Sequence, residues 1–252
     1  MLSLAASLII GGAVFVGTFV SGIFGMVGGQ IVLATALYFM PVSSGMTLFS
    51  ALMFTSGAWR GVLWRQHVNW PITTRYIAGS VVAYVVMLFI YYVPSKPVVY
   101  LGLGLAPILA DLMPKKIAPN IERTGMPYLS GFIVMLLQIT VGAGGNVLDA
   151  FFQTSSLTRH TIVATKAIMQ LFSQAGRFLY FGFAALQAGE IIPWWLLVVY
   201  VLITFVGGSA AAGVLNRMSD ASFRKWTRAL IWALSLIYVA RGAWLLITGS
   251  TT

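Results

Sequence analysis

Two glycine-rich interruptions inside long apolar segments constrain this chain more than any other feature. They are Gly25-Met26-Val27-Gly28-Gly29-Gln30 and Val141-Gly142-Ala143-Gly144-Gly145-Asn146. Each breaks an apolar run with glycines, adds one side-chain amide and gives way to a further apolar run. Such a break frees backbone N–H and C=O groups, which find no water in hydrocarbon. Two of them at corresponding places predict a buried polar site held between two related halves.

The surrounding sequence predicts a bilayer as the solvent. The chain is 59% hydrophobic and only 8% charged, against about 25% charged residues in a soluble domain. Several apolar runs reach the roughly 20 residues that a membrane-spanning helix needs. The alternating ten-residue segments of a transmembrane barrel are absent, so the expected class is an all-α polytopic membrane protein. Fifteen Lys and Arg against five acids give a net charge of +10. These charges sit in short loops, the pattern of a positive-inside bias rather than of a nucleic-acid surface. With no cysteine in the sequence, disulfides, thiolate chemistry and Cys-ligated metals are excluded. Met1-Leu2-Ser3-Leu4 lacks the positive region of a cleavable signal peptide, so the segment from Leu4 is read as a mature helix.

The chain order predicts two repeats. The first, 1–113, holds a broken hairpin at 4–40 and spans at 45–64, 71–93 and 98–113. A polar linker at 114–125 follows. The second, 126–252, holds a broken hairpin at 126–154 and spans at 161–183, 191–215 and 226–247. A shift of about 116 residues superposes Gly28-Gly29-Gln30 on Gly144-Gly145-Asn146 and Ala51-Leu52-Met53 on Ala167-Ile168-Met169, the fixed-period self-similarity of a duplicated architecture. The loops at 60–75, 114–124, 157–160 and 216–228 carry eleven Lys and Arg, whereas the opposite loops carry only Lys96. The four basic loops are therefore expected in the cytoplasm, with both termini outside. Under that constraint the first broken segment begins and ends outside and the second begins and ends inside, so the repeats are inverted. The short arms of each broken segment favour a hairpin with its glycine apex near the midplane, although full crossings fit if the arms are longer.

Half-helices starting at Gln30 and Asn146 would point N-termini into the membrane centre, where free N–H groups and the helix dipole suit an anion. Glycine permits close backbone approach to a ligand at Gly28, Gly29, Gly144 and Gly145, and amides at Gln30 and Asn146 can donate to its oxygens. The competing reading is that the glycines serve only close helix packing. A polar stripe of Lys166, Gln170, Ser173, Gln174 and Arg177 falls on one face of the span 161–183. Charged groups inside membranes face a cavity or a partner; Arg177 could instead snorkel outward. The substrate-binding set is therefore Gly28, Gly29, Gln30, Gly144, Gly145, Asn146, Lys166, Gln170 and Arg177. Asp149, an acid within the second broken segment, is read either as an ion-pair partner or as a proton-coupling carboxylate. His67 and His160 stand isolated in loops, and no metal-ligand cluster, nucleotide-binding loop or catalytic constellation can be placed. No cofactor, metal site, enzymatic activity or nucleic-acid partner is expected.

Ser21-Gly22-Ile23-Phe24-Gly25-Met26-Val27-Gly28-Gly29 before a short helix and Pro41, and Val141-Gly142-Ala143-Gly144-Gly145 before Leu157-Thr158-Arg159-His160-Thr161-Ile162-Val163-Ala164-Thr165, resemble the sulfite exporter TauE/SafE family, also called the toluene sulfonate uptake permease family. The resemblance covers nearly the whole chain. It implies a multi-pass carrier of sulfite, sulfonates, thiosulfate or related organosulfur anions. The family often shows a third glycine where this chain has Gln30 and Asn146.

The expected function is a secondary transporter of small sulfur-containing or organic anions in the bacterial cytoplasmic membrane. The anion would bind at midplane between the two half-helix N-termini. Lipid surrounds such a carrier, a proton or sodium ion could couple to it, and a homodimer is an open expectation. The alternatives are a passive anion channel and a structural or assembly subunit of a membrane complex.

Overall fold

The computed structural model describes residues 3–24, 27–63, 65–112, 119–152, 154–190, 192–215 and 220–249. Among these the chain is helical without a strand. The first five helices are α1 (Leu4–Phe24), α2 (Val27–Phe39), α3 (Val42–Leu63), α4 (Trp70–Ile90) and α5 (Lys96–Leu112). The next five are α6 (Met126–Thr140), α7 (Gly144–Phe152), α8 (Arg159–Gln187), α9 (Trp194–Leu215) and α10 (Asp220–Ile247).

Local chemistry sets several boundaries. Pro71 stands in the first turn of α4, where its missing N–H would have had no partner. The Asn69 side chain caps that turn by accepting from the Ile72 N–H at 3.2 Å. Thr158 caps α8 in the same way through the Thr161 N–H. At the other end of α6, Gly142 takes φ +76, and its N–H donates to the Leu137 carbonyl at 2.9 Å. This left-handed turn suits glycine and stops the helix.

Leu4–Ser21, Trp70–Ile90, Trp194–Ala211 and Ala229–Ile247 are long and apolar enough to cross a membrane. Their outward side chains include Leu8, Val82, Phe89, Leu202, Val206 and Ile237, all exposed. An apolar surface of that extent, on helices of spanning length, suits lipid rather than water. The protein is a multi-pass membrane protein.

The outer helices enclose α3 and α8, which pack together along most of their length. Gly61 lies against Ile168, Ser50 bonds Arg177 and Gly182 faces Thr47, so the two helices run antiparallel. The other neighbours come in matched sets: α1 with α9 and α6 with α4, α1 with α2 and α6 with α7, and α5 with α10. Where α4 meets α6, a Cβ on Gly79 would collide with the Tyr128 carbonyl, and one on Gly131 with the Tyr76 carbonyl. The two backbones therefore touch at both glycines.

The two broken segments double back. The start of α1, the end of α2, the start of α3, the end of α8 and the start of α9 together line one groove, through Leu4, Phe39, Ser44, Glu190 and Trp195. At the other end of α8, Phe151 and Phe152 of α7 pack with Ile72, Ile121, Met126, Leu157 and Ile162. The Ile121 N–H also donates to the Phe151 carbonyl at 2.9 Å. The first hairpin thus opens at one end of the α3–α8 pair and the second at the opposite end.

The helices following the breaks begin earlier than expected, at Val27 and Gly144 rather than at Gln30 and Asn146. The glycines form the first helical turn. Without Cβ atoms that turn seats directly on its neighbours: a Cβ on Gly144 would come 2.5 Å from the Val134 carbonyl. The long helices also extend past the apolar spans, α8 to 159–187 and α10 to 220–247. Hydropathy marks the bilayer, whereas helical hydrogen bonding continues into water through good helix formers.

Candidate functional site

Both glycine breaks meet the α3–α8 pair about half-way along α3. At the first, a Cβ on Gly29 would lie 2.9 Å from Met53 Sδ and 3.1 Å from Phe49 Cε2. At the second, a Cβ on Gly142 would lie 3.1 Å from Leu33, 3.2 Å from Met46 and 3.5 Å from Arg177 Nη1.

Arg177 stands between them and is fully buried. Its Nε donates to Ser50 Oγ at 2.7 Å. Its Nη1 donates to Gln138 Oε1 at 2.8 Å and to the Gly142 carbonyl at 3.3 Å. Its Nη2 donates to Gln174 Oε1 at 2.7 Å. The guanidinium also lies over the Phe49 ring, 4.4 Å from the centroid. Every one of these acceptors is a neutral oxygen. Neutral dipoles solvate a buried cation without cancelling its charge, and a group of this kind favours an incoming anion. The planar guanidinium presents donors in a fork that matches the oxygens of a carboxylate, phosphate or similar oxyanion.

The network is braced from below. Ser173, one turn before Arg177, shares a 2.6 Å hydrogen bond with Tyr76 of α4 and donates to the Met169 carbonyl. Ser50 donates its own proton to the Met46 carbonyl at 2.6 Å, which leaves its oxygen as an acceptor for Arg177.

The family model for the sulfite exporter TauE/SafE matches residues 9–238. The chain belongs to this family. No curated protein and no solved structure matches it. As a TauE/SafE protein it is a membrane transporter and not an enzyme.

The residues singled out in the TauE/SafE sequence separate into three groups. Arg177 joins Gln174 from the same stripe, and the snorkelling alternative is excluded by its complete burial. Gly28, Gly29 and Gln30 are buried at the first turn of α2, and Gly144 and Gly145 at the first turn of α7. The side chain of Asn146 lies outside the described residues. Lys166 and Asp149 form an ion pair between α8 and α7, with side-chain exposures of 23% and 42%. Lys166 precedes Arg177 by eleven residues, about 16 Å along the helix, with Gln170 half-buried between the two. His67 and His160 are isolated in sequence but not in space: their rings lie 5.5 Å apart.

Sequence reasoning misses Gln138 and Phe49. Gln138 carries a readable signal, an amide inside the apolar run of α6 one turn before a glycine break. Phe49 carries none, because one aromatic among many in a span is indistinguishable from core.

Proposed function

We propose that this protein is a secondary transporter of small sulfur-containing or organic anions of the sulfite, sulfonate and thiosulfate class, in the cytoplasmic membrane of a bacterium. The anion is held near the midplane by Arg177, between the helix starts at Gly28-Gly29-Gln30 and Gly144-Gly145-Asn146. One observation carries the reading: Arg177 is a fully buried guanidinium beside a glycine break, and its hydrogen-bond acceptors among the described residues are all neutral. An oxyanion entering there supplies the missing negative charge and takes over the fork now shared by Ser50 and Gln174. Gln170 lines the way from the cytoplasmic end, and the Lys166–Asp149 pair holds α7 against α8. Asp149 is the carboxylate available to link anion movement to a proton. The matched helix contacts and the hairpins opening at opposite ends support an inverted repeat of 1–113 and 126–252, and the basic residues in the loops at 60–75, 114–124, 157–160 and 216–228 support both termini outside.

The test is exchange of labelled sulfite, thiosulfate and sulfoacetate in proteoliposomes. Saturable exchange that disappears in Arg177→Gln is expected. Conductance rising linearly with concentration would replace the carrier with a channel. Absence of flux for all three anions in the wild type would refute the reading.

A further inference from the structure

The end of the α3–α8 pair away from Lys166 and Asp149 also carries a lysine and an acid, Lys96 and Glu190. Glu190 follows the last turn of α8: Gly189 takes φ +71, and the Glu190 N–H donates back to the Ala185 carbonyl at 2.8 Å. Its side chain crosses to the start of α3, where Oε2 accepts from Ser44 Oγ at 3.0 Å. A carboxylate at the C-terminal end of α8 meets the negative end of that helix dipole, and the Ser44 hydroxyl carries no charge to offset it. Lys96, half-buried at the start of α5, shares with Glu190 the lining of a cavity of about 420 Å³. Neither side chain forms an ion pair among the described residues. The Arg241 guanidinium, stacked over the Tyr38 and Trp244 rings, adds a second positive charge that acts on Lys96. A further cavity, of about 740 Å³, is lined by Glu190, Thr47, Phe178 and Gly182. Thr47 stands one turn before Ser50, which accepts from Arg177. Glu190 therefore belongs both to the cavity that holds Lys96 and to the one that leads toward Arg177.

We propose that Lys96 and Glu190 form a loading site that takes up an oxyanion together with one proton. The ligand is the sulfur oxyanion proposed above, and this end is the outer one in that reading, so the inference rests on it. Lys96, backed by Arg241, draws the anion in, whereas the ionised Glu190 carboxylate repels it. A proton from the outer solvent binds one oxygen of that carboxylate and cancels its charge. The anion then stays beside Lys96 and moves on past Thr47 toward Arg177. The other titratable groups lining these spaces are tyrosines: Tyr38 in the cavity of Lys96, Tyr84 and Tyr180 in the further one, and Tyr200 in the groove along α1 and α9. Phenols are neutral throughout the range in which a carboxylate titrates, which leaves Glu190 to load the proton. Asp149, paired with Lys166, holds the corresponding place at the cytoplasmic end.

The experiment reconstitutes the full chain in proteoliposomes with the membrane potential clamped and sodium thiosulfate as probe. Thiosulfate keeps its charge across the neutral and mildly acidic range, so a pH effect on its uptake belongs to the protein. Wild-type uptake should rise by up to about tenfold for each unit of external acidification, the limit for one bound proton. A luminal dye should report acidification that depends on thiosulfate. Glu190→Gln should lose both responses. Ser44→Ala, which keeps the acid, should move the uptake profile to higher pH, because the ionised carboxylate loses its hydrogen bond. Lys96→Gln should keep the pH response and raise the external KM by about tenfold, one charge lost at a partly exposed site. A pH response that survives in Glu190→Gln overturns the proposal, as does wild-type uptake indifferent to external pH or an unchanged KM in Lys96→Gln. If Glu190→Gln is not recovered folded, Ser44→Ala decides, and an unshifted profile rejects the site. Uptake lost in Arg177→Gln but insensitive to pH, Lys96 and Glu190 leaves the transport reading standing and rejects this site alone. Absence of thiosulfate uptake at every external pH also rejects the site; the transport reading falls with it only if sulfite and sulfoacetate fail to exchange.

Discussion

Arg177→Gln gives the sharpest test of the charge argument. An oxyanion 4 Å from the guanidinium at an effective dielectric of 20 gains about 4 kcal/mol. Taking Nε and Nη2 from Ser50 and Gln174 offsets roughly 1–2 kcal/mol of that. The balance of about 2–3 kcal/mol corresponds to roughly a 30- to 150-fold weaker Kd in the variant. Stability without ligand should move the other way or hardly at all, because a buried cation with no counter-ion among the described residues is replaced by a neutral amide. The substituted amide would still reach part of the Ser50, Gln138 and Gln174 set. The assay is the midpoint of thermal unfolding in detergent across a sulfite titration. Wild type should be stabilised by sulfite; Arg177→Gln should start level or higher and stay flat. A variant that unfolds earlier without sulfite yet responds to it like wild type would show that the guanidinium is a structural brace, and the reasoning would fail.

Further outcomes follow from other positions. Gly142→Ala places a Cβ at φ +76, with Leu33 and Met46 within 3.2 Å of it; a loss of about 1–2 kcal/mol is expected for the left-handed backbone, read as a lower unfolding midpoint, with Gly142→Asn milder. Gly79→Leu inserts a side chain where α4 touches the Tyr128 carbonyl, so folded protein recovered by size exclusion should fall sharply. A double-mutant cycle on Lys166→Met and Asp149→Asn should give a coupling of about 1 kcal/mol or less, since both side chains remain partly exposed. A much larger coupling would place that pair in a drier setting.

Hydropathy and proline positions make the fold legible. α6 begins at Met126, where the second broken hairpin is expected to start, and ends at Thr140, just before the glycine break, because Gly125 and Pro127 mark its start and the glycines its end. Sequence also locates both interruptions, since glycines inside a membrane segment demand compensation. It does not reveal that the glycines belong to the helices, because glycine reads as a helix breaker until a neighbouring backbone makes its missing side chain useful. The site is half visible. The stripe on α8 points to Arg177, but depth along an isolated helix does not distinguish a side chain reaching for water from one enclosed by α3 and α6. Gln138 and Ser50 come from other helices, and only tertiary packing brings them to one guanidinium. The two histidines make the same point: residues 67 and 160 meet because the turn before α4 lies beside the start of α8.

The reciprocal contact of Gly79 and Gly131 has a mechanical consequence. Backbones that touch have no intervening layer of side chains to slide upon, so α4 is fastened to α6 and travels with it. Gly207 of α9, closed against Thr18 of α1, fastens that pair in turn. The rigid parts of this transporter therefore mix early and late chain segments, each pairing one arm of a hairpin with a helix from the other half.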